Sequence, residues 1–200
     1  LRDGAQARGI DFSVADKLAI AKELDALGID YIEGGWPGAN PTDDAFFAAV
    51  PPLKKSVMTA FGMTRRAGRS AANDPGLQDV LGAGTKAVCL VGKAWDVQVK
   101  TALKVSREEN LRMIEESIRH AVKKKLEVAF DAEHFFDGYK SNPEYAVAVC
   151  KAAYDAGARW VVLCDTNGGS LPAQITQGVK AVVEAVPGTH LGIHCHNDTD

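Results

Sequence analysis

The feature of this sequence that most constrains its fold is a regular alternation of short β-type runs with longer helical patterns. The β-type runs recur roughly every thirty residues, which is the length of a βαβ unit. Such an alternation predicts a parallel sheet, either doubly wound or closed into a barrel. The six predicted strands are "DYIEGG" (30–35), "SVMTAF" (56–61), "TKAVCLV" (85–91), "LEVAFD" (126–131), "ARWVVLCD" (158–165) and "HLGIHCH" (190–196).

The stretches between these runs carry the start and stop signals of helices. "SVADKLAIAKELDALG" has apolar residues at helical spacing, with Ser13 as its N-cap and Gly28 just past its end. A second helix is predicted to begin after Ser106, where Glu109 completes the pattern of a capping box. These are the helices that a βαβ chain needs to cover its sheet.

Residues whose side chains could take part in catalysis or ligand binding follow the carboxyl ends of several different strands. An open sheet concentrates its site near one switch point, whereas a (β/α)8 barrel draws residues from many strand ends. We therefore predict an α/β fold, a (β/α)8 TIM barrel present from the end of strand 1 ("LRDG") through strand 7 ("HLGIHCH"). Strand 8 is expected beyond Asp200, so residues 1–200 are expected to form an incomplete catalytic domain that is inactive in isolation.

Composition and charge argue against several classes of function. The chain has 200 residues, 46% of them hydrophobic, and a formal net charge of -3, which does not suggest a nucleic-acid partner. No apolar run approaches the roughly 20 residues of a membrane span. The cysteines lack CxxC spacing, and Cys89, Cys164 and Cys195 are expected to be small buried residues of strands. With no visible signal peptide, a reducing, cytoplasmic location is the default expectation.

The closing stretch "GIHCHNDTD" raises the question of a metal site. Because side chains at i and i+2 of a strand share a face, His194 and His196 can both point inward while Cys195 points away. Two imidazoles and one carboxylate make a facial ligand set for a divalent ion, and Asp3 could supply the carboxylate. The Asn-Asp pair that follows His196 favours this interpretation over two ordinary strand histidines.

Other residues near strand ends are candidates for catalysis or substrate binding. Arg2 is either a donor to a developing oxyanion or part of a structural ion pair. Glu133 is a candidate general base, with His134 as a rival. Thr166 could bind a substrate carboxylate or simply belong to a turn. Arg65 lies either in a solvated loop or in a clamp for a carboxylate or phosphate.

Two motifs, "LRDGAQ" at the first strand end and "HCHND" at the seventh, resemble the DRE-TIM metallolyase superfamily. Its members include isopropylmalate, homocitrate and citramalate synthases and hydroxymethylglutaryl-CoA lyase. Three longer stretches, "YIEGGWPGANP", "DAEHFFDGYKSNPEYA" and "VLCDTNGGSLP", are similar to the citramalate synthase branch. The resemblance covers essentially the whole chain.

The resemblance implies a metal-dependent condensation of acetyl-CoA with a 2-oxo acid. Pyruvate would give citramalate, a precursor of isoleucine; isopropylmalate synthase, homocitrate synthase and an acyl-CoA lyase are the alternatives. A homodimer is implied, as are a lid and a regulatory domain outside this chain. The resemblance assigns the metal ligands Asp3, His194 and His196 for Mg, Mn, Co or Zn, the catalytic residues Arg2 and Glu133, and the substrate-binding residues Gln6 and Thr166. Arg65 is added to the substrate-binding residues from its loop alone, as the possible clamp.

Overall fold

The computed structural model describes residues 1–188 and 190–196, and it contains one sheet of six parallel strands in chain order. All six predicted strands are confirmed, and the second, third and fourth each end two residues later than expected. The strands are β1 (Tyr31–Gly35), β2 (Val57–Met63), β3 (Ala87–Lys93), β4 (Glu127–Glu133), β5 (Trp160–Asp165) and β6 (His190–Cys195).

Helices precede the sheet and connect its consecutive strands. They are α1 (Val14–Leu27), α2 (Pro41–Ala49), α3 (Pro75–Leu81), α4 (Asp96–Gln98) with a π-helical continuation (Val99–Leu103), α5 (Arg107–Lys123), α6 (Phe135–Ser141), α7 (Pro143–Asp155) and α8 (Pro172–Ala185); a 3-10 turn (Gly4–Gln6) precedes α1. Within the described residues, none of these helices has both the length and the apolar character needed to cross a membrane.

The caps that were predicted for α1 and α5 can be compared with those in the structure. Ser13 caps α1 as predicted, and Gly28 ends it with φ +91°, a left-handed conformation that suits glycine. At α5 the Ser106 hydroxyl accepts from the Glu109 amide, so half of the predicted capping box forms. The other half does not, because the Glu109 carboxylate accepts instead from Arg65, which comes from the loop after β2.

The sheet is curled into part of a barrel. In a flat sheet β1 and β5 would lie four strand spacings apart, roughly 19 Å. Instead, the rings of Tyr31 in β1 and Trp160 in β5 have centroids 6.2 Å apart and meet edge to face. The Tyr31 hydroxyl also bonds to Glu127 of β4. Contacts across the hollow therefore join strands that are far apart in the sheet. The predicted TIM-barrel architecture is confirmed for the six strands of the described residues, which form part of a barrel.

A packed hydrophobic layer lies between the outer face of the sheet and the helices. Phe130 and Leu163 point into it from neighbouring strands, and Ile114 of α5 and Val149 of α7 pack against it with no exposed surface. Burying each such side chain contributes about 1.5–3 kcal/mol. This layer fixes the register of the strands, and the alternate residues of the same strands, such as Asp131, therefore face the hollow.

Two expectations at the ends of the described chain are corrected. Arg2 and Asp3 form a turn rather than the tail of a strand, although the Arg2 amide donates to the Glu33 carbonyl at 3.1 Å and so lies beside β1. Cys195 is exposed, unlike the buried Cys89 and Cys164. Its side chain points to the outer face of β6, the last strand of the described sheet.

Candidate active site

The carboxyl ends of the strands surround a cavity of about 340 Å³, and most of the predicted site residues line it. Parallel strands end at the same side of a barrel, so residues distant in sequence meet there. The lining residues are Arg2, Asp3, Gln6, Trp36, Phe61, Met63, Val91, Lys93, Asp131, Glu133, Cys164, Thr166, His194 and His196. A larger hollow of about 680 Å³ lies along the concave face of the sheet and shares Arg2, Asp3, Asp131 and His194 with this cavity.

Asp3, His194 and His196 come together as predicted for a metal site. Their candidate ligand atoms all lie within 4.8 Å of one another, and His194 Nε2 is 3.7 Å from Asp3 Oδ2. The two imidazole rings are stacked with centroids 5.0 Å apart. This set of two imidazoles and one carboxylate fits a divalent ion of the Mg, Mn, Co or Zn type. The Asn197 and Asp198 pair, which supported the prediction, lies outside the described residues.

Two other groups of potential ligands are weaker candidates. One joins Cys164 to Asp131 and His194, and the other joins Cys89 to Asp131 and Glu33. Metals bind the thiolate form of cysteine. Burial raises the pKa of both thiols well above the ordinary value, and the nearby carboxylate of Asp131 raises it further. The histidine pair with Asp3 is the set that needs no buried thiol to lose its proton, and it is therefore the stronger candidate for binding a metal.

Arg2 is held at the cavity wall by three kinds of contact. Its Nε donates to Glu33 Oε2 at 2.6 Å, and one of its terminal nitrogens donates to Gln6 Oε1 at 3.0 Å. Its guanidinium carbon lies 3.8 Å from the centre of the Phe61 ring, which adds a cation–π interaction. Burial lowers the pKa of Arg2, but the charge and hydrogen bond of Glu33 outweigh it and raise the pKa overall. A fixed, permanently charged donor of this kind can stabilise an oxyanion.

Glu133 is the last residue of β4, and its carboxylate forms an ion pair with Lys93 at the end of β3. The rival base His134 is turned away toward Asp137, with 3.3 Å between Nδ1 and Oδ2. Of these two candidates, Glu133 lines the cavity in the described part of the chain. The geometry therefore favours Glu133 as the base.

Thr166 links the ends of β4 and β5. Its hydroxyl oxygen accepts from the His134 amide at 2.8 Å, and His134 has φ +57°, an uncommon conformation for a residue other than glycine. A hydroxyl that accepts in this way still has its own proton to donate. Thr166 can therefore both hold the turn after Glu133 and donate a hydrogen bond to a substrate in the cavity.

The structure places Arg65 away from this set of residues. Its side chain is buried and makes ion pairs with Glu116 at 2.6 Å and Glu109 at 3.0 Å, both from α5. The interpretation as a solvated loop residue is wrong, because only 4% of Arg65 is exposed. Its guanidinium fastens the loop after β2 to α5, so it does not support the predicted carboxylate clamp.

Two residues of the cavity were missed by sequence reasoning. Lys93 is the last residue of a strand that was predicted to end at residue 91, so the strand-end argument stopped short of it. Asp131 precedes Glu133 by two residues and therefore shares its inward face. Burial raises the pKa of Asp131 to about 6, and the like charge of Glu33 acts in the same direction. Both residues could have been found from the two-residue period of a strand.

Comparison with known proteins identifies a family that this chain matches over its whole length. The family model described as HMGL-like matches residues 1–200. The chain is 51% identical to the (R)-citramalate synthase of Aquifex aeolicus and 52% identical to that of Streptomyces coelicolor. In each case it is covered completely but spans only 38% of the relative's length. It is also 32% identical over 99% of its length to 2-isopropylmalate synthase of Sulfolobus acidocaldarius, where it covers 49% of the relative.

Solved structures of lyases share the fold. The chain superposes on the HMG-CoA lyase of Bacillus subtilis with a TM-score of 0.80 and 20% identity, covering 98% of this chain and 66% of that one. It superposes on an HMG-CoA lyase in complex with coenzyme A and 3-methylmalate with a TM-score of 0.79 and 17% identity, covering 99% of this chain and 65% of that one. The matches confirm the resemblance to the DRE-TIM metallolyases and to their citramalate synthase branch. The chain belongs to the HMGL-like family.

Proposed function

We propose that the full-length protein condenses acetyl-CoA with pyruvate in a metal-dependent reaction that gives (R)-citramalate and CoA. The observation that carries this proposal is the identity of 51–52% with (R)-citramalate synthases over the whole chain. Similarity to 2-isopropylmalate synthase is lower, at 32%, and this favours pyruvate over the bulkier oxo acid that an isopropylmalate synthase would use. The homodimer implied by the family resemblance is part of the same proposal.

Five residues of the cavity are proposed to bind the metal ion and the oxo acid. Asp3, His194 and His196 would hold a divalent ion, which when bound acts as a Lewis acid on the oxo acid. Thr166 donates a hydrogen bond to the carboxylate of the oxo acid and so orients its keto carbon. Gln6, which accepts from Arg2, lies beside the same substrate.

Glu133 and Arg2 are the proposed catalytic residues. The Glu133 carboxylate accepts a proton from the methyl group of acetyl-CoA, and the resulting carbanion equivalent attacks the keto carbon of pyruvate to form a carbon–carbon bond. The Arg2 guanidinium donates a hydrogen bond to the keto oxygen as negative charge develops on it. The proton taken up by Glu133 then passes to this oxygen, directly or through water, which gives the hydroxyl of the product and restores the carboxylate. Water then cleaves the thioester, which releases CoA with its free thiol and makes the condensation irreversible.

The test is release of free thiol from acetyl-CoA by the full-length protein with Mn²⁺ or Mg²⁺. Pyruvate, 2-oxobutyrate, 2-oxoisovalerate and 2-oxoglutarate are compared as acceptors. We expect fast release with pyruvate and loss of both release and Mn²⁺ binding in Asp3→Ala, the latter measured by calorimetry. Preference for 2-oxoisovalerate or 2-oxoglutarate would move the protein to another synthase branch. No release with any acceptor, with metal binding intact, would overturn the synthase proposal in favour of a lyase.

A further inference from the structure

Lys93 is a charged residue of the cavity and is not one of the proposed metal-binding, substrate-binding or catalytic residues. It is the last residue of β3, its ammonium forms an ion pair with Glu133, and both side chains line the cavity that contains the metal-binding set. The Lys93 side chain is 14% exposed and that of Glu133 is 26% exposed. The pair is therefore largely shielded from water. Loss of one partner of a shielded ion pair costs more than it does at a surface, because the other charge is left without a partner.

The backbone fixes the two partners opposite each other. Lys93 and Glu133 are register partners in the parallel pairing of β3 with β4, so their side chains point to the same face. The pairing continues past the end of β3, where the Ala94 amide donates to the Glu133 carbonyl at 2.9 Å. Neither side chain needs a long reach to meet the other.

A buried amide secures the strand end that carries Lys93. Asn110 of α5 has no exposed surface, and its Nδ2 donates to the Lys93 carbonyl and to the Tyr145 hydroxyl, both at 2.8 Å. Three elements, β3, α5 and α7, therefore define where the Lys93 backbone lies. The point from which the Lys93 side chain extends toward Glu133 is therefore fixed.

The charged residues around the cavity indicate that Lys93 acts on Glu133. Glu133 stands on the same face as Asp131, two residues earlier, so two carboxyl groups of β4 face the cavity. The guanidinium of Arg2 is bound to Glu33. Of the two cations that line the cavity in the described part of the chain, Lys93 is the one paired with Glu133.

We propose that Lys93 is a positioning residue that holds the Glu133 carboxylate in the orientation from which it accepts the methyl proton of acetyl-CoA. This inference rests on the proposed role of Glu133 as the base. It makes Lys93 matter for the proton transfer itself rather than for binding of either substrate. A neutral side chain at this position would leave Glu133 free to turn away from the cavity.

The experiment compares Lys93→Met and Lys93→Arg with the unmodified full-length protein, using pyruvate and acetyl-CoA. In Lys93→Met we expect kcat to fall 10- to 100-fold, with both KM values within threefold of the original. The kinetic isotope effect with trideuterated acetyl-CoA should increase, because proton removal becomes more rate-limiting. Lys93→Arg should restore most of kcat. Lys151→Met, which breaks an exposed ion pair with Asp155 on α7, is the matched control and should change nothing.

Two further measurements separate this inference from alternatives. Lys93→Met added to Glu133→Gln should lower kcat no further than Glu133→Gln alone, since residues that act as a unit are not additive. A crystal structure of Lys93→Met should show the Glu133 carboxylate displaced, a result that does not depend on which reaction is catalysed. A tenfold rise in the pyruvate KM with kcat unchanged would instead make Lys93 a substrate-binding residue. An undisplaced Glu133 with unchanged kcat would overturn the inference while leaving the proposed function intact.

Discussion

Arg2 and Glu33 lie 31 residues apart in the sequence and are joined by a hydrogen bond of 2.6 Å from Nε of Arg2 to Oε2 of Glu33. The Arg2 amide also donates to the Glu33 carbonyl, so backbone and side chain are both tied to β1. With Nε so occupied, the guanidinium lies against the Phe61 ring. Glu33 therefore determines how Arg2 is presented to the cavity.

Replacing Glu33 by Gln should weaken this arrangement without removing volume. A hydrogen bond to a charged group contributes about 1.5–3 kcal/mol, so we expect kcat/KM to fall roughly 10- to 150-fold. Steady-state thiol release measures the effect. Glu115→Gln is the control, because its carboxylate pairs with Arg119 on the exposed side of α5. Equal activities for Glu33→Gln and this control would show that Arg2 does not depend on Glu33.

Gly138 allows α6 to approach the end of β3, close to the Lys93 and Glu133 pair. A Cβ atom at this position would lie 2.3 Å from the Ala94 carbonyl oxygen, and that oxygen belongs to the backbone and cannot rotate away. Gly138→Ala should therefore destabilise the fold by about 1–3 kcal/mol. Urea denaturation measures this change. Gly169→Ala serves as the control, since nothing lies within 4 Å of its Cβ; unfolding midpoints that match between the two variants would contradict the prediction.

The strands and the shared face of the two histidines could be predicted because they depend on local periodicity. His194 and His196 share a face through the two-residue repeat of a strand. Asp3 reaches them because the turn that carries it lies beside β1, at the side of the barrel where the strands end. Neither argument requires knowledge of the strand register. The same reasoning extends to Asp131, two residues before Glu133, once the end of β4 is placed correctly.

The pairings between distant residues could not be predicted in the same way. Arg65 meets Glu109 and Glu116, which are 44 and 51 residues away on another element, and nothing in "TRRAGRS" distinguishes that pair from a substrate clamp. Lys93 meets Glu133 because of the register between β3 and β4. Register is set by packing of the whole sheet against its helices, so it becomes visible only in three dimensions.

The hydrogen bonds of the Asp25 carboxylate predict that the stability of the protein depends on pH. Its carboxylate accepts from the backbone amides of Ser56, Lys55 and Lys54, which lower its pKa from 3.8 to about 2. A carboxyl group with a lowered pKa stabilises the fold at pH values above about 4 and loses that contribution as the pH falls toward 2.

We therefore expect Asp25→Asn to lower the melting temperature at pH 7. The difference from the unmodified protein should shrink at pH 3, where the contribution of the carboxylate is being lost. Melting curves at pH 7, 5 and 3 test this expectation. Asp155→Asn, at an exposed ion pair, should show little effect at any pH. A difference for Asp25→Asn that stayed constant from pH 7 to pH 3 would mean that the charge of Asp25 is not what stabilises the loop before β2.

Thr166 offers a direct test of substrate orientation. Thr166→Val removes the hydroxyl that accepts from His134 and that would donate to the oxo-acid carboxylate, whereas Thr166→Ser keeps it. An unsatisfied polar group costs about 1–3 kcal/mol, so the KM for pyruvate should rise roughly 5- to 150-fold in Thr166→Val. The KM for acetyl-CoA should stay within about twofold, and Thr166→Ser should behave like the unmodified protein.

Because the His134 amide also loses its acceptor, Thr166→Val should melt at a lower temperature, and this effect is measured separately. A loss of stability with an unchanged pyruvate KM would mean that Thr166 serves the turn alone. The turn needs the hydroxyl oxygen as an acceptor, whereas the substrate carboxylate needs the hydroxyl proton as a donor.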